Sequence, residues 1–193
     1  MNFYIPLGWI LRAEVWGFLF WYYSEMIYST GFDDKNFPEV ILGGFYGLLW
    51  KIVKSLYTLF VILLVVWLPF IITYLISKKT QAELSILISV FKYCGIFLLP
   101  IAILNAAVGR DLTLLRPDYF LTAIFRVFIP YLVPAIILGA AVILQMKTRQ
   151  FSRTDSSGTI YYLLLNIAIQ MIFIIAMRSI GLFYRHYSCH FKW

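Results

Sequence analysis

The sequence predicts an all-α integral membrane protein, with a bundle of about four transmembrane helices and an amphipathic, aromatic-rich helix at the N-terminus. Hydrophobic residues make up 62% of the 193 residues and charged residues only 13%, which is about half the charged share of an ordinary soluble domain. Residues 55–77 carry no charge and are followed by Lys78 and Lys79. Roughly 20 helical residues cross the hydrocarbon core of a bilayer, so this stretch is the clearest span.

Three further apolar stretches, residues 84–107, 127–146 and 159–177, are also long enough to span. Thr80 and Glu83 have the spacing of a helix-capping box, which predicts a tight hairpin between the first two spans. Residues 147–158 form the plainest surface loop, and residues 178–193 form a basic, aromatic tail that we expect at the membrane interface. The chain has no room for a second domain, so residues 1–193 form a single helical membrane domain.

Residues 3–31 are rich in tryptophan, phenylalanine and tyrosine but contain Arg12, Glu14 and Glu25. On a helix, both glutamates fall on one side together with Gly17, Trp21, Ser24 and Tyr28, and apolar residues fill the rest. This pattern favours an aromatic helix lying in the headgroup layer. The alternative is a fifth span whose carboxylates face partner helices.

The segment before the first span predicts a separate interfacial helix that begins at Pro38. It would place Gly43, Gly47, Lys51 and Lys54 on one arc, together with Gly44. The spacing of Gly43 and Gly47 allows another helix to approach closely, and the lysines can reach lipid phosphates. The arc is either a packing face or a lipid-binding groove.

Lys92 is the only charge far from the ends of a predicted span, and it shares a helical face with Ser85 and Ser89. Because a lysine in hydrocarbon costs on the order of 3 kcal/mol or more, we expect this face to turn toward protein or water. It is either a site for an anionic group or a lysine that reaches the interface or pairs with Glu14 or Glu25.

The connection before the third span interleaves Arg110, Asp111, Arg116 and Asp118 among leucines. The ring of Pro117 excludes Arg116 from a helix, and Asp118 is placed to cap the short helix that follows.

Pro130 and Pro134 then break the chain near the start of the third span. Backbone carbonyls freed at membrane depth need donors, and Arg126 and Tyr131 are the nearest.

Polar residues near the C-terminus have structural explanations. Asn166 and Gln170 lie four residues apart within the fourth span and are expected to cross-link helices. Beyond the span, which ends at Arg178, the spacing of His186 and His190 beside Cys189 is one that a metal could use. Their position in an interfacial tail with Arg185 instead favours contact with headgroups.

The remaining signals exclude several classes of function. The net charge of +7 comes from bases scattered beside apolar runs rather than gathered on one polar surface, which argues against nucleic-acid binding. The spans contain no histidine for a haem iron, and no protease or cofactor motif occurs. We therefore expect no metal, no cofactor and no catalytic residue. The distribution of lysine and arginine places both termini in the cytoplasm by the positive-inside rule, unless residues 3–31 also span.

Three pieces of the second half carry a family resemblance: FLLPIAILNAAV, LLRPDYFLTAIFRVFIPYLVP and the ending MRSIGLFYRHYSCHFKW. Over roughly residues 90–193 the chain resembles a group of uncharacterised bacterial membrane domains, Yip-like in pattern, that often follow a zinc ribbon. The resemblance implies a helical domain of the bacterial inner membrane with cytoplasmic termini and no established reaction. This chain has no CxxC pair, so the zinc ribbon is absent.

Taken together, the sequence favours a non-catalytic subunit or scaffold of a membrane assembly whose partners are lipids and other membrane subunits. The alternatives are a protein that binds or transports a lipid or small solute in a pocket around Lys92 and Arg126, and an enzyme acting on lipid at the interface. The candidate polar or headgroup contacts are Glu14, Glu25, Lys51, Lys54, Lys92, Arg110, Arg116, Arg126, Tyr131, Arg178 and Arg185.

Overall fold

The computed structural model describes residues 4–32, 44–80, 85–110, 115, 117–148 and 156–191. Throughout these residues the regular structure is helical, without any strand, which confirms the all-α prediction. The helices are α1 (Tyr4–Gly31), α2 (Phe45–Thr80), α3 (Ser85–Gly109), α4 (Pro117–Arg126), α5 (Phe128–Thr148) and α6 (Ser156–Tyr187), followed by a 3-10 turn (Ser188–His190).

Four of these helices are long and apolar enough to cross a membrane, as predicted. The membrane-length segments are Phe45–Lys79, Ser85–Gly109, Phe128–Thr148 and Ile160–His190. Large apolar side chains also cover the outside of the bundle, with Ile86 81% and Ile129 79% exposed. An apolar exterior around an apolar core is unfavourable in water and is the arrangement that acyl chains solvate.

α2 joins two elements that the sequence analysis kept apart. It runs without interruption for 36 residues, so the predicted interfacial helix and the span at residues 55–77 are one helix. The helix begins directly after Gly44, whose φ of +85° is in the region that glycine tolerates best. Pro38, Gly43 and the residues that follow Thr80 in the predicted capping box lie outside the described part of the chain.

α3 is the central helix of the bundle. Every residue from Pro100 to Ala107 is buried, and the helix packs against α1, α2 and α5. Ala102, Ala106 and Ala107 lie in this segment, and small side chains allow neighbouring helices to approach closely. The C-terminal half of α3 is therefore enclosed by other helices, whereas its first two turns are largely exposed.

α1 packs into the bundle instead of lying apart from it. Met26 and Ile27 are fully buried, and the helix contacts α2, α3 and α6. Its contacts advance in the same direction along both helices, since Tyr23 stacks on Phe173 and Gly31 approaches Tyr184. α1 and α6 are therefore parallel neighbours, and this arrangement favours the alternative in which α1 is a further span.

The predicted break between the short helix and the third span is present. α4 begins at Pro117 and ends at Arg126, and α5 begins after Val127. The backbone hydrogen bonds from Val127 to Ala123 and from Tyr131 to Val127 continue across the break. Arg116 and the side chain of Asp118 lie outside the described residues, so the predicted cap at Asp118 stays a prediction.

The C-terminal segment from residue 178 is docked on the bundle as a continuation of α6, and its place at the membrane interface stays a prediction. α6 continues to Tyr187 before the 3-10 turn reverses the chain. Phe191 is buried, and its ring lies 5.9 Å from that of Phe183 and 5.6 Å from that of Tyr184. Burial of these aromatic rings provides the energy that holds the end of the chain in place.

Candidate functional site

The C-terminal ends of four helices meet at one end of the molecule, which we call the basic end. There Arg110, directly after α3, reaches Tyr28 of α1. The rings of Phe32, after α1, and Tyr184 of α6 lie 5.8 Å apart. Arg126, the last residue of α4, donates from Nη1 to the carbonyl oxygen of His190 at 3.4 Å. These contacts bring cations from separate helices to one end of the bundle.

Within the basic end, α1 presents a stripe of Trp21, Glu25 and Tyr28, which face the same way because they are four and three residues apart. Lys51 of α2 holds its Nζ 4.8 Å from the centre of the Trp21 ring. The Arg110 guanidinium lies 4.1 Å from the Tyr28 ring, and its Nη2 is 3.5 Å from Oε1 of Glu25. We call these five residues the three-helix cluster.

The contacts within the three-helix cluster are individually weak. The side chains of Arg110 and Glu25 are 60% and 38% exposed, and an ion pair this accessible contributes at most about 1 kcal/mol. Each cation–π contact at an exposed site contributes roughly 0.5–1 kcal/mol. Arg110 also has a φ of +49°, which is uncommon for a residue with a side chain. Its guanidinium is thus placed over α1 by several weak contacts.

The stripe on α1 includes Glu25, one of the two carboxylates that the sequence analysis singled out, and it is partly buried. Glu25 meets Arg110, and Gly17 is so close to α2 that an added Cβ would lie 2.8 Å from side-chain atoms of Ile52 and Leu56. Glu14 is partly exposed nearer the start of α1. Proximity of Gly17 to α2 and of Glu25 to α3 explains why the polar side of α1 is tolerated in an apolar bundle.

Lys92 does not face protein, which leaves the alternative in which its side chain reaches the interface. Ser85, Ser89 and Lys92 are all on the exposed surface of α3, and Ser89 donates to the carbonyl of Ser85 in its own helix at 3.0 Å. The described residues show no ion pair between Lys92 and either Glu14 or Glu25. Lys92 is about two turns from the start of α3, close enough for its long side chain to reach the headgroup layer.

Tyr131 and Arg126 satisfy carbonyls far from the proline break that they were expected to serve. Tyr131 is 1% exposed, and its hydroxyl donates to the carbonyl of Phe97 on α3. Its ring packs 5.1 Å from that of Phe97 and 5.8 Å from that of Phe183. Arg126 bonds instead to His190.

The contacts of the described residues do not bring together Lys92, Arg126 and Tyr131, which the binding or transport alternative places in one pocket. Tyr131 is enclosed by aromatic rings, Arg126 lies at the basic end, and Lys92 is on the outer surface of α3. Each of the three side chains therefore has a different environment.

The remaining candidate cations, Lys54, Arg178 and Arg185, are exposed on α2 and α6. Arg116 lies outside the described part of the chain. Near the end of α6, His186 bonds through Nδ1 to the carbonyl of Leu182 at 2.9 Å, and Cys189 Sγ is 3.1 Å from His190 Nδ1. Among the described residues, no three side chains of histidine, cysteine, aspartate or glutamate come together as a metal site would require.

Gln170 cross-links two helices, as the sequence predicted, whereas Asn166 does not. The hydroxyl of Tyr23 on α1 donates to Oε1 of Gln170 on α6. Asn166 donates from Nδ2 to the carbonyl of Tyr162, one turn earlier in its own helix, at 2.8 Å. The sequence did not predict a role for Tyr23, because an aromatic residue in an apolar helix does not indicate that its hydroxyl will bond to an amide 147 residues away.

A double-mutant cycle should detect the bond between Tyr23 and Gln170. We expect Tyr23→Phe and Gln170→Leu each to lower the free energy of unfolding, with a coupling of about 0.6–1.7 kcal/mol between them. Thermal or denaturant unfolding in detergent micelles measures each variant and the pair. The matched change Tyr161→Phe, at an exposed position of α6, should be neutral, and strictly additive losses at residues 23 and 170 would contradict the bond.

Comparison with known proteins adds no assignment. No protein-family model matches the chain, and neither a curated protein nor a solved structure is detectably similar to it. The Yip-like resemblance consequently stays a prediction from the sequence.

Proposed function

We propose that this chain is a non-catalytic integral membrane protein that acts as a structural subunit, or scaffold, of a larger membrane assembly. The observation that carries the proposal is that three of its polar side chains join neighbouring helices. Tyr131 links α5 to α3, Tyr23 links α1 to α6, and Arg110 links α3 to α1. These contacts join helices, which is the role of polar side chains in a rigid membrane bundle.

The two alternatives have less support. A binding or transport pocket would need Lys92, Arg126 and Tyr131 to share a cavity, and they lie in separate environments. An enzyme acting on lipid through Arg110, Asp111, Arg116 and Asp118 would need three side chains that lie outside the described residues. Arg110 itself is occupied with Glu25 and Tyr28.

Photo-crosslinking in native membranes tests the subunit proposal. A photoreactive phenylalanine analogue replaces Leu68 on α2, Ile136 on α5 or Ile167 on α6, all of which are exposed on the surface of the bundle. We expect at least one position to yield an adduct of discrete mass with a different protein, and native electrophoresis to give a complex larger than the chain alone. Adducts with lipid only, from a species of monomer size, would overturn the proposal.

We further propose that the membrane is the bacterial inner membrane and that the basic end faces the cytoplasm. Arg110, Arg126 and Arg185 lie toward this end of the molecule, and cationic residues beside spans favour the cytoplasmic side. α1 is 28 residues long, about 42 Å, and runs parallel to α6. A helix of that length beside a spanning neighbour should also cross, which would place the N-terminus on the opposite side.

Cysteine labelling tests this topology. In the Cys94→Ser background, Cys189 reports the C-terminus; in a Cys94→Ser/Cys189→Ser background, Asn2→Cys reports the N-terminus. We expect a membrane-impermeant maleimide to label position 2 in intact spheroplasts and position 189 only after permeabilisation. Labelling of both positions only after permeabilisation would instead support an interfacial α1 with both termini in the cytoplasm.

A further inference from the structure

The short helix α4 has two apolar faces, and only one of them is covered by the bundle. Ala123 and Ile124 are buried, as is Val127 at the break that follows. On another side of the helix, Leu121 is 49% exposed and Phe125 is 79% exposed. Because residues four apart lie on the same side of a helix, these two side chains form an outer face, which packing among the described residues leaves open.

The outer face of α4 continues onto the exposed side of α5. Exposed apolar side chains recur along both helices at the spacing of whole helical turns: Leu121, Phe125, Ile129 and Ile136. The backbone hydrogen bonds from Val127 to Ala123 and from Tyr131 to Val127 keep this register across the break. Since α5 is long and apolar enough to cross a membrane, its exposed side faces acyl chains. The same apolar surface therefore runs from the span onto α4.

The length of α5 places α4 at the edge of the hydrocarbon. The 21 residues of α5 make a helix of about 32 Å, which matches the roughly 30 Å of the hydrocarbon core of a bilayer. α4 has only 10 residues, so it is about 15 Å long and cannot cross that core by itself. Because α4 directly precedes α5 at the basic end, it lies at the level of the lipid headgroups.

A polar edge beside the outer face fits this level. Thr122 and Arg126 are four residues apart, and each directly follows a residue of the outer face. Arg126 is exposed, and its bond to the carbonyl oxygen of His190 holds the end of α4 against the C-terminal turn. A helix at the membrane interface presents polar side chains to water and headgroups and apolar side chains to the acyl boundary. α4 carries both kinds side by side.

From this arrangement we propose that α4 is an interfacial helix whose outer face, Leu121 and Phe125, inserts into the membrane surface at the basic end. Its partner is the boundary between headgroups and acyl chains, because the outer face is continuous with the lipid-facing side of α5. The buried face of α4 and the bond from Arg126 to His190 fix the helix to the bundle, which holds it at one depth. This surface lies beyond the subunit role proposed above and does not depend on it.

Spin-label accessibility in phosphatidylcholine nanodiscs tests the proposal. In the full-length Cys94→Ser/Cys189→Ser chain, Leu121→Cys or Phe125→Cys places one nitroxide on the outer face of α4. Ile136→Cys in the same background reports the hydrocarbon, because this residue is exposed in the span. Native Cys189, exposed after α6, reports the aqueous side in the Cys94→Ser chain.

The measurement compares collisions of each nitroxide with oxygen, which concentrates among acyl chains, and with a water-soluble nickel chelate. We expect the ratio of oxygen to nickel collisions at residues 121 and 125 to exceed the ratio at Cys189 severalfold and to approach that at residue 136. A ratio equal to that at Cys189 would place the outer face in water. Few collisions with either reagent would show that a second copy or another protein covers it, and either result would overturn the proposal.

Hydrogen exchange of the full-length chain in nanodiscs gives a second test that needs no label. Leu121→Asp/Phe125→Asp should raise the exchange rate of the α4 backbone amides severalfold, because charged side chains draw the helix out of the acyl boundary, while the amides of α6 keep their wild-type rates. The matched change Phe45→Asp/Tyr46→Asp, at another exposed apolar pair, should leave exchange in α4 unchanged. Wild-type exchange in α4 after the first change would contradict insertion of its outer face.

Discussion

Gly181→Ala should lower the free energy of unfolding by about 1–3 kcal/mol, although it adds a single methyl group, because it forces α1 and α6 apart. A Cβ at this position would lie 2.7 Å from Cβ of Thr30 and 2.8 Å from the carbonyl oxygen of Ile27. Ile27 is completely buried, and a backbone carbonyl cannot rotate away as the end of a side chain can. The two helices would have to separate, and thermal unfolding in detergent micelles measures the cost.

Gly139 supplies the matched control within the same bundle. It is also a buried glycine in a membrane-length helix, but a Cβ there would meet only Cγ2 of Ile96, at an ordinary contact distance of 3.6 Å. Gly139→Ala should therefore be neutral or stabilise the protein by up to about 1 kcal/mol, because alanine favours the helix over glycine. Equal losses at the two positions would show that the close approach at Gly181 is not what holds α1 against α6.

The sequence does not show which atoms surround each of these two glycines. A glycine in an apolar helix allows another helix to approach closely, but it does not identify that neighbour. The spacing of Gly43 and Gly47 predicted a packing face or a lipid-binding groove; Gly47 is partly exposed near the start of α2, and Gly43 lies outside the described residues. Gly181 and Gly17 have no such spacing, and they are the positions where α1 meets α6 and α2.

The membrane class and the long apolar helices were predictable because hydrocarbon imposes a length and a composition on each span. The break at residue 127 was predictable for a local reason, the geometry of proline. α4 nevertheless begins at Pro117, one residue before the predicted cap at Asp118, and Pro134 lies inside α5. The extent of α2 was not, since Lys51 and Lys54 interrupt the apolar run without interrupting the helix. Charged residues mark the edge of an apolar segment, whereas the helix itself continues as long as its backbone hydrogen bonds do.

The candidate site shows the same division between local and tertiary information. Glu25, Lys51 and Arg110 were each singled out from the sequence, yet nothing in the sequence indicated that they would come together. Their partners Trp21 and Tyr28 lie one helical turn either side of Glu25, so the stripe on α1 was readable from spacing alone. The choice of Arg110 over Lys92 as the partner of Glu25 was set by how α1 crosses α3.

Replacing Tyr131 by alanine should have the largest effect of any single truncation in the bundle, about 3–5 kcal/mol, because it leaves a large cavity in a rigid core. The side chain is 1% exposed and is the largest of those that are fully buried. It fills the space between Phe97 of α3 and Phe183 of α6, so its loss would loosen three helices together.

Two further variants serve as controls. One separates the contribution of the Tyr131 ring from that of its hydroxyl, and the other measures the general effect of truncating a tyrosine. Tyr131→Phe keeps the ring and removes only the bond to the Phe97 carbonyl, so it should cost roughly 0.6–1.7 kcal/mol. Tyr93→Ala removes a tyrosine that is exposed on α3 and should be close to neutral. Unfolding in micelles should rank Tyr131→Ala far below Tyr131→Phe, with Tyr93→Ala near the wild type. If Tyr131→Ala were as stable as Tyr131→Phe, the tyrosine would contribute through its hydrogen bond alone, and α3, α5 and α6 would have to be held together by other contacts.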